Sequence, residues 1–373
     1  MSDLILKTKT EVEDFVRGCT FFGTGGGGLP ENGIESLMSE MNKGKNIKIV
    51  SPDQVEDDAV VATPFLMGSI APKTDKVKKE MKKFGLENSI NNEKQMLAKA
   101  LKELENYMDK KIDYIVPIEL GGSNAPGGIA AGISNNMQAL DGDYVGRAIP
   151  EILQTTPALD DKKIWPISSV DEWGNVSIIK DSINFRIVER IGKLISAAAY
   201  GLAGQAGFIL SGKEMKKYIV KNSLSRCYEV GKLIRESDDP ISNLIDELNG
   251  WKIGTGTITK LDDEDRDGYY WGTTYIKGTD NFKNDEFKIW FKNENHVCHK
   301  NDKVIATSPD IISLLNTNTG EPVTNGELKI GDSVTIVGVK GNDKFRTEKG
   351  IKVLGPKYFG FENIEYTEIE KLN

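Results

Sequence analysis

The sequence predicts an α/β fold that gives way to a β-rich second half, and three observations carry that prediction. From Ile47 to Leu153 strand-like apolar runs alternate with helical stretches, the pattern of a largely parallel sheet with helices on its faces. From Gly250 onward β-branched and aromatic runs take over, among them WKIGTGTITKL, GYYWGTTYI and EFKIWF. The character changes near 159–163, and 373 residues exceed the usual size of one domain. The expected division is an N-terminal α/β domain with Gly-rich loops over 1–162 and a C-terminal, mainly β domain with helices over 163–373.

Taken in order, Val12, Phe15, Val16, Cys19 and Phe22 recur at helical spacing and predict a helix over 11–22. The glycines of FGTGGGG (22–28) stop it, and Pro30 opens a second helix over 30–41 with Ile34, Leu37, Met38 and Met41 on one face. IKIV (47–50) and AVVATPFLM (59–67) read as strands, the latter running into the turn MGS. Amphipathic helices are expected over 76–84 and 92–108, the basic run of the first being a solvated face. The strand 114–118 leads through ELGGSNAPGG into a small-residue helix around 129–133. A strand at 137–140 leads through DGD into a helix over 145–153. Residues 165–179 read as strands about a turn at 172–175. The Gly- and Ala-rich stretch 185–220 reads as helical, with 194–210 a buried helix too short and too interrupted to span a membrane. DDEDRDG (262–268) reads as an exposed acidic hairpin loop without the ligand spacing of a calcium loop.

Hydrophobic residues at 38% and charged residues at 28% describe a chain that buries a real core. A net charge of −8 argues against general nucleic-acid or anionic-membrane binding. The 3 cysteines form neither a disulfide framework nor a CxxC pair, and no basic leader precedes a long apolar run. The expected setting is the cytoplasm.

The candidate chemistry lies in 112–154. Glu119 stands at the carboxyl end of a strand, where open α/β sheets gather ligands, and Asn124 follows in the same turn as a polar donor and acceptor or as a helix cap. Asp141 and Asp143 flank Gly142; so close a pair suits acid/base work, a divalent metal, or a structural ion pair with Arg147. Gly25, Gly26, Gly27 and Gly28 offer backbone N–H groups to an anion, or simply a tight helix corner. Gly23, Gly25 and Gly28 formally match the dinucleotide fingerprint, yet a helix precedes them where a strand is required. His296, Cys298 and His299 invite a zinc reading, but His299 faces away from the other two on an extended run. No cofactor is required by these residues, although a divalent metal is compatible with them.

In this order, FGTGGGG, ELGGSNA, DGDYVGRAIPE, NENHV, SPDIISLL and GPKYFGFE resemble the S-methyl thiohydantoin desulfurase-like family, which is associated with hydantoinase and oxoprolinase systems. The resemblance covers nearly the whole chain. It implies an N-terminal α/β domain, a β-rich C-terminal domain, and hydrolysis of an S-methylated thiohydantoin to hydantoin with release of methanethiol. MGSIAPKTDKVKKE and NNMQAL depart from the family's usual small-residue and Pro turn and its apolar-Pro lead. The expected ligand is a small molecule held between the FGTGGGG loop and the ELGGSNA and DGD turns. Asp141, Asp143 and Glu119 are the expected acid and base, with Asn124, Arg147 and the glycines binding substrate. The expected assembly is a homo-oligomer, with a hydantoinase-type partner possible. The alternative is a non-catalytic ligand-binding or accessory subunit of such a system.

Overall fold

The computed structural model describes residues 3–69 and 73–372; residues 70–72, inside the divergent MGSIAPKTDKVKKE stretch, lie outside the described residues. The first half is built on an eight-stranded mixed sheet in the order 4–6, 47–50, 138–140, 114–115, 60–68, 202–211, 167–171, 176–179. Pairings among 47–50, 138–140, 114–115 and 60–68 are parallel, because the helices Asp75–Lys83, Glu93–Met108 and Asn124–Ser134 carry the chain back between strands. The later strands join antiparallel, 202–211 pairing with both 60–68 and 167–171.

Local chemistry sets the ends of these elements. Thr8 and Glu11 form a reciprocal cap on the helix Lys9–Phe22, and Asn92 with Gln95 does the same for Glu93–Met108. The apolar face read from the sequence, Val12 through Phe22, is buried in the main core with Leu97, Leu101, Ile115 and Ala139. On its other side that first helix crosses Ser223–Glu236 almost backbone to backbone. A Cβ on Gly231 would stand 1.7 Å from the Asp14 carbonyl oxygen, so no side chain fits there.

Three expectations fail. The stretch 194–210 is not a helix: Phe185–Ala198 ends, and Leu202–Ser211 forms a central strand. It is covered on both faces. Gly204 lies under the helix Glu93–Met108, where a Cβ would be 2.5 Å from the Met96 carbonyl carbon. Gln205 Nε2 reaches the Gly192 carbonyl of the helix Phe185–Ala198, 3.4 Å away on the opposite face. A strand buried on both sides loses its alternation, and periodicity then cannot separate it from a buried helix. The helix expected over 145–153 is absent as well. Buried carboxylates capture the N–H groups a helix would direct to its own carbonyls: Asp143 takes those of Val145 and Gly146, Glu119 that of Ile149, and Glu189 that of Ile152. Only Thr156–Leu159 turns helical.

The second half centres on a seven-stranded antiparallel sheet in the order 303–307, 294–300, 286–292, 269–278, 251–266, 333–339, 311–316. Its core includes Ile253, Ile276, Phe287, Ile289 and Ile336. The acidic run at 262–266 extends one strand of its longest hairpin rather than forming a loop, with the turn confined to Asp267 and Gly268. Among the described residues no helix is long and apolar enough to cross a membrane.

Candidate functional site

The two Gly-rich turns face each other. The N–H groups of Ser123 and Asn124 both donate to the Gly27 carbonyl at 3.0 Å, and a Cβ on Gly27 would meet the Gly121 Cα at 2.5 Å. Gly27 sits at φ 77° and Gly28 at φ 84°, in the left-handed region glycine enters without strain. Beside this seam lies a cavity of about 60 Å³, bordered by Gly27, Gly28, Phe65–Gly68, Glu119, Asn124, 149–152, Lys193, Leu202, Asn293 and Glu294. At ~10–15 Å³ per water it holds roughly four waters, about the bulk of a five-membered ring. Both halves of the chain build it.

Glu119 is fully enclosed and held from two sides. Asn124 Nδ2 donates to Oε1 and the Ile149 N–H donates to Oε2, each at 2.7 Å. Asn124 is itself fixed, its Oδ1 accepting from the Leu66 N–H at 3.0 Å. Burial drives the Glu119 carboxyl up to about 8; its two donors and the Lys193 charge restrain the rise, while Asp143 adds to it. Burial also pushes Glu294 well above the ordinary carboxylate range, reinforced by Glu119 and opposed by Arg147 and Lys193. Glu294 Oε2 is buried without a hydrogen-bond partner among the described residues. Gly26 packs against this carboxyl, a Cβ there falling 2.1 Å from Oε1.

Lys193 brings the cation. It is buried, its Nζ lies 4.0 Å from the Tyr269 ring centre, and its only hydrogen bonds among the described residues are long ones, 3.3 Å to the carbonyls of Gly68 and Gly268. Burial lowers its pKa, against the pull of Glu189. Lys292, 3.9 Å from the centre of the same ring, is ion-paired with Glu151, whose other oxygen accepts from Tyr358 at 2.6 Å. The Tyr269 hydroxyl donates to Glu189 at 2.9 Å. A ring of acids and cations thus closes one wall, leaving Lys193, Glu119 and Glu294 as its least neutralised members.

The remaining candidates from the sequence lie elsewhere. Asp141 accepts from the Ser225 N–H at 3.0 Å and its hydroxyl at 2.5 Å. Asp143 accepts from the Ser223 hydroxyl at 2.7 Å and from the N–H groups of Val145 and Gly146, and burial lifts it to about 6. Both aspartates therefore face the start of the helix Ser223–Glu236, and neither borders the cavity. Arg147 is a clasp between halves: its guanidinium donates to Thr24 Oγ1 at 2.9 Å and to the carbonyls of Ala148, Asn295 and Asp310 at 3.0, 3.0 and 2.9 Å. Burial lowers it to about 10. Gly25 packs on Asn325, outside the lining. His296 is buried, its ring 3.8 Å from that of Phe359 and its Nδ1 3.1 Å from Ser308 Oγ. Among the described residues no three His, Cys, Asp or Glu side chains gather as a metal would need.

Sequence reasoning missed Lys193 and Glu294. Lys193 occupies one position of an amphipathic helix, where a lysine reads as solvated. Glu294 lies inside NENHV, a segment whose histidine and cysteine drew the attention.

Fold and site together define a two-half protein with a carboxyl-lined cavity at the seam. Family models match both halves: the S-Me-THD-like N-terminal domain over residues 10–181 and the S-Me-THD-like C-terminal domain over 183–369. The chain belongs to the S-Me-THD-like family. Its fold is similar throughout to the crystal structure of a protein from Chromobacterium violaceum, with a TM-score of 0.78, 16% identity, and coverage of 99% of this chain and 100% of that one. No curated protein matches it.

Proposed function

We propose that the protein is a hydrolase of a small cyclic amide or thiohydantoin-type ring, converting an S-methyl thiohydantoin to hydantoin and methanethiol. The observation that carries this reading is the pair Glu119 and Glu294, two buried carboxyls on one ring-sized cavity beside the Lys193 ammonium. Burial and mutual repulsion raise both carboxyls, so joint ionisation is disfavoured and the pair retains at least one proton at neutral pH. Family membership supports the substrate class.

The reaction needs one carboxylate and one carboxylic acid. Glu119, stabilised as an anion by Asn124 and the Ile149 N–H, takes a proton from water as its oxygen bonds to the carbon bearing sulfur. Glu294, the protonated partner, donates to the adjacent ring nitrogen. When the C–S bond breaks, the proton held by Glu119 passes to sulfur and methanethiol leaves. The new C–O bond becomes the hydantoin carbonyl as its hydroxyl proton returns to Glu294. One water enters and one thiol departs. Lys193 offsets the negative charge of the pair, and the backbone of Gly27 and Gly28 borders the same space. Asp141 and Asp143 position the chain around this site through the helix Ser223–Glu236 rather than meeting the ring.

Incubating the protein with S-methyl thiohydantoin and following methanethiol and hydantoin together by mass spectrometry tests the reading. Release that disappears in Glu119→Gln is the expected result. Saturable binding with the ligand recovered unchanged would instead favour the accessory-subunit alternative.

A further inference from the structure

The cavity beside Glu119 has a larger neighbour with which it shares part of its wall. Gly28 and Leu202, which border it, also border a second chamber of about 860 Å³. The inner space matches a ring, whereas the outer one is of the size that encloses whole small-molecule ligands, roughly 300–1,000 Å³. A ring alone would leave the larger chamber to water.

The outer walls come from separate parts of the fold: the helix Pro30–Met41, the start of Glu93–Met108, the end of Phe185–Ala198, and the hairpin tip at Asp267 and Gly268. Apolar surface from Leu29, Val77, Met96 and Ala197 alternates with polar groups. Lys73, the only lysine or arginine among the described lining residues, is committed to Glu172 at 2.7 Å. Glu93 is likewise occupied, by the hydroxyl of Ser123 and by Asn32 Nδ2 at 2.7 Å. Glu35, Asp265 and Asp267 remain on the walls without a cation from inside the chamber. An anionic group placed there would face these three carboxylates, with Lys73 already paired to Glu172.

Resting on the hydrolase reading, we infer that the substrate is a ring carrying an extended, non-anionic substituent. The ring lies against Glu119 and Glu294, and the substituent runs past Gly28 and Leu202 into the outer chamber. Remote contacts of this kind raise kcat/KM by holding the ring in register with the carboxyls.

Methanethiol release is measured with S-methyl thiohydantoins bearing methyl, n-butyl, 4-aminobutyl and 3-carboxypropyl groups on the ring. The expected result is a kcat/KM at least about tenfold higher for butyl and aminobutyl than for methyl, with carboxypropyl below butyl by a similar factor. In Ala197→Trp, which narrows the outer chamber, the butyl-to-methyl ratio falls toward one; in the double variant Asp265→Lys, Asp267→Lys the carboxypropyl substrate gains on butyl. Each ratio is internal to one protein, so partial misfolding leaves it readable. Equal kcat/KM for methyl and butyl, or a butyl-to-methyl ratio unchanged in Ala197→Trp, overturns the inference while leaving the hydrolase reading intact. Turnover of none of the four overturns both.

Discussion

Replacing Glu119 with Gln changes how stability depends on pH, and the structure sets the size of the change. Folding lifts this carboxyl from its ordinary 4.5 to about 8 through burial. Between those values the folded protein keeps a proton that the unfolded chain has released. The stabilisation from this group is therefore fully present below 4.5 and is lost as pH rises toward 8. At ~1.4 kcal/mol per pH unit, the loss across the span is about 4–5 kcal/mol. The Glu119→Gln variant carries no such dependence, but it has a handicap of its own. Asn124 is held by the Leu66 N–H and presents Nδ2, and Ile149 presents N–H, so the new amide meets a donor on at least one side. That mismatch costs about 1–3 kcal/mol at every pH. The two stability curves should consequently cross: the variant is weaker at pH 5 and equal or stronger at pH 8. Urea unfolding of both proteins at half-unit steps from pH 5 to 8.5, followed by tryptophan fluorescence, measures the difference curve. Parallel curves would refute the argument, because they would mean Glu119 binds its proton no more tightly folded than unfolded.

Other expectations follow from the same geometry. Under the proposed mechanism kcat/KM of the wild type rises with pH as Glu119 ionises toward about 8, and Lys193→Met, which removes the charge holding Glu119 down, moves that limb to higher pH and lowers the rate at pH 7 by about 10²-fold; an unmoved limb in the pH–rate profile would dismiss the ammonium. Asp143→Ala leaves the Val145 and Gly146 N–H groups and the Ser223 hydroxyl without their acceptor and lowers the urea midpoint, at a cost of about 1–3 kcal/mol; total loss of turnover in a folded variant would return this aspartate to the chemistry. Gly231→Ala forces the helices Lys9–Phe22 and Ser223–Glu236 apart against the Asp14 carbonyl and destabilises the protein by roughly 3 kcal/mol, read as a lower thermal midpoint.

Where the chain announces its own local chemistry, the sequence is legible. Pro30 at the first turn and the Asn92–Gln95 cap mark their helices to within a residue, and the hairpin strands of the second half stand out by composition. What was hidden depends on partners distant in the chain. Whether 202–211 is strand or helix is decided by helices on both sides of it, and whether 145–153 winds up is decided by carboxylates at 119, 143 and 189 that claim its N–H groups. The site follows the same rule. Glu119 and Asn124 show themselves through a Gly-rich turn at a strand end, whereas Lys193 becomes a buried cation only because Tyr269, from the other sheet, covers it.

The division between the two family models, at residues 181 and 183, falls through a working unit rather than between two. The segment before it supplies Glu119 and Asn124, and the segment after it supplies Lys193, Glu294 and a central strand of the first sheet. The halves are thus not interchangeable parts. A graft of one relative's second segment onto another's first would have to re-match a sheet strand and the contact of Gly26 with the Glu294 carboxyl at once, so the two segments are expected to be inherited and to diverge as a single piece.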